Sequence, residues 1–286
     1  MQLREFYNQF LQELKPLYGY DESVAISNML FEHFAGKTRS DIITAPDSVI
    51  EKEKVALLED ALLQLKRKVP VQYVIGHAWF AGLVFRVGPA VLIPRPETEE
   101  LVQEAIQFIR ANNKTTVLDI GTGSGCIPIS IKKQLPAISV TAIDVSEAAL
   151  AVAKENAQLN HVAVEWMQKD FLQQEEWSAL PLYDVIISNP PYIPEAEKEM
   201  LDENVTAHEP HLALFVPDND ALLFYERIAV FAGQHLAAGG SIFMETHEAQ
   251  AHNVAALFSA NGFNTAVKKD INGNDRMLIA NRNHLL

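Results

Sequence analysis

Val117-Leu118-Asp119-Ile120 runs directly into Gly121-Thr122-Gly123-Ser124-Gly125, and this apolar run ending in a glycine turn limits the fold more than any other stretch. The four residues read as a buried strand, and the glycines let the backbone turn and approach a ligand closely before a helix begins. The rhythm then continues. Strands are expected at 116–120, 138–143, 162–168, 183–188 and 240–246, with helices at 126–134, 147–159, 219–236 and 248–260. Such alternation predicts an α/β, Rossmann-like fold with a mainly parallel sheet and helices on both faces. Two closing strands near 263–269 and 276–281, separated by Asp270-Ile271-Asn272-Gly273-Asn274, predict a C-terminal antiparallel hairpin.

Upstream the period changes. Leu3, Phe6, Phe10 and Leu14 recur at helical spacing, as do Ala25 and Met29, with Phe34 following a turn. Val55, Leu58, Leu62 and Leu65 form a third stripe, capped by Asp47 or Ser48 and closed by Lys66-Arg67-Lys68, where cations suit the helix dipole. Residues 1–70 therefore read as a small helical domain. Past Pro70, Val71, Tyr73, Val74, Ile75, Trp79, Phe80, Val84 and Phe85 interleave with Gly76, Gly82 and Gly88, which predicts a β-hairpin linker over 71–96. Pro94-Arg95-Pro96-Glu97-Thr98-Glu99 reads as the start of a helix, and the remaining domain spans 97–286.

A glycine turn alone suits nicotinamide, flavin and S-adenosylmethionine sites alike. Asp144 sharpens the reading: it ends the next strand 23 residues after Gly121, where a carboxylate can accept hydrogen bonds from both ribose hydroxyls of an adenosine. Asp119 either meets the cofactor's amino group or orders the loop by accepting backbone N–H bonds. Asp170 and Phe171, after the third strand, are placed to meet adenine. No hydride or proton-transfer partner stands at a strand end, which disfavours nicotinamide chemistry. Cys126 follows the loop without a visible base and reads as a small buried side chain. Pro210 breaks the helix that a metal site at His208-Glu209-Pro210-His211 would need, so no metal is expected.

Asn189-Pro190-Pro191-Tyr192 follows the apolar run 183–188. Two prolines fix φ and remove two N–H donors, so the chain turns rigidly where the strand ends. The Asn189 oxygen and the Pro190 carbonyl can then both accept from one planar NH2 group, with Pro191 stiffening the turn and the Tyr192 ring covering the flat face. That arrangement suits methyl transfer to an amide or an exocyclic amine, where alignment supplies much of the gain.

A net charge of −14 argues against a large nucleic-acid footprint, which needs surplus Lys and Arg. The single cysteine excludes an internal disulfide and suggests a reducing cytoplasm. Neither a signal peptide nor a membrane span is expected, and the chain is read as a monomer.

Together with Asp270 and Asn274-Asp275-Arg276, these segments resemble the protein-(glutamine-N5) methyltransferases that modify class-1 peptide chain release factors. Asn-Pro-Pro-Tyr is shared with adenine-N6 DNA methyltransferases; the Pro-Arg-Pro-Glu-Thr-Glu segment is narrower. The resemblance implies a class I S-adenosylmethionine-dependent fold and methylation of the Gly-Gly-Gln glutamine, leaving S-adenosylhomocysteine. It implies the 121–125 loop, Asp144, Phe171 and Asn189 as cofactor contacts, and 189–192 as glutamine contacts. It also implies that the N-terminal region helps hold the release factor. Phe171 stands where many relatives carry tryptophan, which keeps the stacking surface and removes a donor. The competing readings are an adenine-N6 nucleic-acid methyltransferase and a non-catalytic scaffold.

Overall fold

A computed structural model describes residues 1–282 and separates the chain into two compact units. The first takes Met1–Gly76 together with Asp202–His208; the second takes His77–Leu201 and the chain from Glu209 onward.

The first unit is helical: α1 (Leu3–Tyr18), α2 (Tyr20–Ala35), α3 (Arg39–Thr44), α4 (Lys52–Lys66) and α5 (Val71–Ile75), joined by a short helix at Glu203–His208. The α1 stripe of Leu3, Phe6, Phe10 and Leu14 is buried, as are Leu58 and Leu65 of α4. Their common anchor is Phe31, whose ring centroid lies 5.6 Å from Phe6, 5.2 Å from Tyr7 and 5.5 Å from Phe10.

Three local expectations fail in this unit. The buried face of α2 carries Ser23, Ile26, Ser27, Leu30 and Phe31, while Ala25 and Met29 are exposed and the helix runs unbroken past Phe34. Both faces show helical spacing, and two small serines made the true one look polar. Neither Asp47 nor Ser48 caps α4, whose N-cap Glu51 makes no side-chain cap; the capping box belongs to α3, between Thr38 and Asp41. Residues 71–75 form one helical turn rather than part of a hairpin. Pro70 starts that turn and Gly76, at φ 76°, ends it, so helix punctuation overrides the β-propensity of Val-Gln-Tyr-Val-Ile.

The second unit opens with a hairpin of β1 (His77–Phe80) and β2 (Leu83–Arg86), turning at Ala81 and Gly82 with positive φ at both. Phe80 and Phe85 of the hairpin are fully buried and pack in this unit's core. Then follow α6 (Pro96–Ala111), β3 (Thr116–Ile120), α7 (Cys126–Gln134), β4 (Ser139–Asp144), α8 (Glu147–Leu159), β5 (Glu165–Gln168) and β6 (Tyr183–Ser188). After β7 (Ile193–Pro194), α9 (Glu203–His208, in the first unit) and β8 (Phe215–Val216) come α10 (Leu223–His235), β9 (Leu236–Glu245), α11 (Ala251–Ala260), β10 (Phe263–Lys269) and β11 (Asp275–Arg282).

Seven strands form one sheet in the order β10-β11-β9-β6-β3-β4-β5, parallel from β9 to β5, with β11 antiparallel to β9 and β10 antiparallel to β11. The expected mainly parallel sheet with a closing antiparallel hairpin is therefore present. Alternate residues serve opposite faces, as the strand period requires. Leu118, Ile120, Ile186, Ile242 and Met244 pack with α10 and α11, while Val117, Val185, Ile187 and Phe243 pack with α6 and α7. Strand β5 is shorter than expected, α10 begins four residues late, and the two-strand pairing of β7 with β8 had no sequence signal.

The chain leaves β3 toward β4 and β5, then returns to lay β6 on the other side of β3. Loops diverge at that reversal, which opens a crevice beyond the carboxyl ends of the strands. Among the described residues no helix is long and apolar enough to cross a membrane.

Candidate active site

A cavity of about 280 Å³ occupies the crevice, and its wall includes Gly121, Gly123, Asp144, Asp170, Asn189 and Pro190. Thr122, Ser124, Phe171 and Pro191 also line it; Asp119, Gly125 and Tyr192 do not. All lining residues belong to the second unit.

The glycine turn is shaped for a ligand. Gly121 and Gly123 hold φ at 73° and 53°, and a Cβ on either would meet nothing within 4 Å, so the space before them is open. Gly125 has another purpose: a Cβ there would lie 3.0 Å from Ile129 and 3.1 Å from both Ala153 and Trp166, because this residue seats the loop on α7 and α8. Asn156 of α8 ties the same loop to the hairpin, its Nδ2 donating to the Ser124 and Arg86 carbonyls while its Oδ1 accepts the Arg86 N–H.

Asp144 Oδ2 accepts the Gly123 N–H at 2.8 Å and Oδ1 accepts the Ser146 N–H at 2.9 Å. Each oxygen keeps a further lone pair. Burial raises the Asp144 pKa, and the backbone N–H groups of Ser146 and Gly123 oppose the rise.

Asp119 is fully buried, and among the described residues neither its oxygens nor the Thr122 hydroxyl makes a hydrogen bond of good geometry, although Thr122 lies close enough to act on the carboxylate. Asp119 accepts no backbone N–H from the loop. Burial pushes its pKa up to about 7; the nearby Thr122 hydroxyl opposes this and the Asp144 charge adds to it. A buried carboxylate without partners is costly unless something else meets it.

The two residues expected to meet adenine are less openly placed. Asp170 accepts from the Leu172 N–H and the Gln173 side chain. Phe171 is 6% exposed and stacks on Trp177 at 5.3 Å, with Phe231 against its edge, so most of its ring serves the core. Cys126 is buried and its thiol is pushed up to about 12 by burial, which makes it inert.

Beyond β6 the Asn-Pro-Pro-Tyr turn is held by groups that sequence reading missed. Asn189 Nδ2 donates to Thr98 Oγ1 at 3.1 Å, and Thr98 donates to Glu245 Oε2 at 2.6 Å. Tyr192 donates its hydroxyl to Glu245 Oε1 at 3.1 Å, and Tyr225 donates to the Glu245 carbonyl. Glu245 is 2% exposed; burial raises its pKa against the pull of Thr98, Tyr192 and the Arg276 cation. A charged residue ending the apolar strand Ser241-Ile242-Phe243-Met244 was the available signal. Likewise, Pro94-Arg95-Pro96 does more than start a helix. Arg95 pairs with buried Glu209 at 2.5 Å, whose other oxygen accepts the Ile93 N–H, joining two walls of the cavity.

Comparison with known proteins follows the same division. The family model "PrmC N-terminal domain" matches residues 3–76, and "Methyltransferase small domain" matches residues 101–212. A release factor glutamine methyltransferase of Flavobacterium psychrophilum is 42% identical over 98% of this chain and 99% of its own length. Proteins of the same description from Bacteroides thetaiotaomicron and Streptococcus pneumoniae are 40% and 38% identical, covering 95% and 98% of this chain and 97% and 98% of theirs. Among solved structures, the hMettl16 catalytic domain in complex with MAT2A 3'UTR hairpin 6 shares the fold, with a TM-score of 0.53 and 15% identity over 80% of this chain and 81% of that one.

Proposed function

We propose, for a chain that belongs to the release factor glutamine methyltransferase family, that it methylates the side-chain nitrogen N5 of the glutamine in the Gly-Gly-Gln tripeptide of class-1 peptide chain release factors. The observation that carries this reading is the Asn189 carboxamide, whose NH2 is committed to Thr98 and whose oxygen accepts no hydrogen bond from the described residues, in the wall of the cavity that also holds the glycine turn.

The residues present fit S-adenosylmethionine. The Thr122 hydroxyl in the cavity wall offers an acceptor to an ammonium, the buried Asp119 carboxylate outside that wall meets it through water, and Asp144 retains lone pairs for a ribose diol. The 121–125 turn presents bare backbone, Asp170 and Phe171 stand on the adenine side, and S-adenosylhomocysteine is the expected product ligand. When bound, S-adenosylmethionine supplies a methyl carbon activated by its sulfonium.

An amide nitrogen is a weak nucleophile because its lone pair is delocalised. Asn189 Oδ1 and the Pro190 carbonyl accept its two N–H bonds, hold the nitrogen in register and stabilise the positive charge that grows on it, and one of the two N–H protons then leaves to solvent so that the product is the neutral N-methyl amide. Pro191 keeps the turn stiff. Tyr192, its hydroxyl pinned by Glu245, closes the acceptor side against water. The N-terminal helical unit is assigned to holding the release factor, which leaves the second unit free to carry the chemistry. The adenine-N6 alternative shares the Asn189–Tyr192 turn, but a net charge of −14 opposes the phosphate track it requires.

The test is transfer of isotopically labelled methyl from S-adenosylmethionine to a purified class-1 release factor. Wild type should label it and Asn189→Ala should label it at most weakly. Equal labelling by both proteins would refute the assigned role of Asn189.

A further inference from the structure

We propose that Thr98 and Glu245 are positioning residues that decide which end of the Asn189 carboxamide meets the substrate. The inference rests on the amide-methylation reading and deepens it.

A side-chain amide has an accepting end and a donating end of nearly equal size, so its orientation must be set by its neighbours. Here the neighbour is a hydroxyl with one proton and two lone pairs. Thr98 gives its proton to Glu245 Oε2 at 2.6 Å, a separation typical of a hydroxyl donating to an ionised carboxylate. What remains for Asn189 is a lone pair, and only Nδ2–H can use it. The amide oxygen is thereby turned away from Thr98.

Glu245 sets both ends of the turn. Its second oxygen takes the Tyr192 hydroxyl at 3.1 Å, so a single acceptor-only group fixes the direction of two hydroxyls flanking Pro190 and Pro191. Thr98 and Glu245 are both buried, so water does not compete for these bonds. Burial raises the Glu245 pKa, and the Arg276 cation, held near Asp270 and donating to the Thr246 carbonyl, opposes that rise.

Replacing Glu245 by a group that donates reverses the chain. A glutamine at this position has one accepting and one donating end, so it cannot accept from both Thr98 and Tyr192; with its N–H on Thr98, Thr98 gives its own proton to Asn189 Oδ1 and the NH2 of Asn189 turns outward. A donor would then face the N–H bonds of the substrate amide. The acceptor site becomes repulsive without any change in shape.

The test compares wild type with Thr98→Val, which is isosteric but lacks the hydroxyl, Thr98→Ser, which keeps it, and Glu245→Gln. The first readout needs no turnover. In ¹⁵N-labelled ligand-free protein the Asn189 side-chain NH2 signals, identified by their loss in Asn189→Ala, should move in Thr98→Val and stay in place in Thr98→Ser. The second is kinetic. With a release factor as substrate, Thr98→Val and Glu245→Gln should lower kcat about tenfold or more, while Thr98→Ser stays near wild type and S-adenosylhomocysteine affinity changes by no more than about twofold. In an Asn189→Ala background, Thr98→Val should cause no further loss. Unmoved NH2 signals, full turnover in Thr98→Val, or an undiminished loss in the Asn189→Ala background would overturn the proposal. A wild type that transfers no methyl to glutamine would instead sink the parent reading, and the NH2 signals would still decide this one.

Discussion

Asp144 Oδ2 accepts the backbone N–H of Gly123 at 2.8 Å, so the carboxylate at the end of β4 also fixes the shape of the turn after β3. Removing it should therefore damage ligand binding twice, by losing an anionic acceptor and by freeing the loop. Asp144→Ala should weaken S-adenosylhomocysteine binding by about tenfold or more, since hydrogen bonds to charged groups are each worth ~1.5–3 kcal/mol. Isothermal calorimetry reads this directly; unchanged affinity would remove Asp144 from the site.

Asp119 predicts an opposition between stability and binding. Its pKa is raised by burial to about 7 from 3.8, so the folded chain holds this proton more tightly than the unfolded chain does. The resulting stabilisation is complete below about pH 3.8 and is lost as pH rises through about 7, amounting to at most ~4 kcal/mol. Asp119→Asn should raise the Tm of the ligand-free protein at pH 8 and weaken S-adenosylhomocysteine binding at the same pH. A lower Tm at pH 8 would contradict the origin assigned to the shift.

Gly125 should tolerate no side chain. At φ 78°, with Ile129 only 3.0 Å and Ala153 3.1 Å from an added Cβ, Gly125→Ala combines backbone strain with overpacking and should cost ~1–3 kcal/mol in chemical denaturation. Gly123→Ala meets open space and pays only for its φ of 53°, so it should destabilise less while still impairing ligand approach.

Phe31→Ala should destabilise the helical unit by ~3–5 kcal/mol, because one ring serves Phe6, Tyr7 and Phe10 together. Every residue lining the cavity lies in the second unit, so S-adenosylhomocysteine affinity should hold while release factor methylation falls. Equal loss of both would show that the helical unit is needed for the cavity itself.

Local signals were the legible ones. The strand into Gly121, the acid ending β4 and the proline turn after β6 each declare themselves within a few residues, because backbone chemistry at strand ends is written locally. Thr98, Glu245, Arg95 and Glu209 were not legible as site residues, since each matters only through a partner 114 or 147 residues away or through Asn189, 91 residues from Thr98. The misread face of α2 has a different cause: Ser23 and Ser27 are buried for their small size, which a polarity pattern scores the wrong way. Val71–Ile75 illustrates a third, where punctuation by Pro70 and Gly76 outweighs residue propensity.

The most direct measurement is peptide-level mass spectrometry of a class-1 release factor after incubation with the wild-type protein and S-adenosylmethionine. The account predicts a gain of one methylene mass on the glutamine of Gly-Gly-Gln and its near absence with Asn189→Ala. A methyl group placed on any other residue type, or none on that glutamine under conditions where S-adenosylmethionine binds, would contradict it.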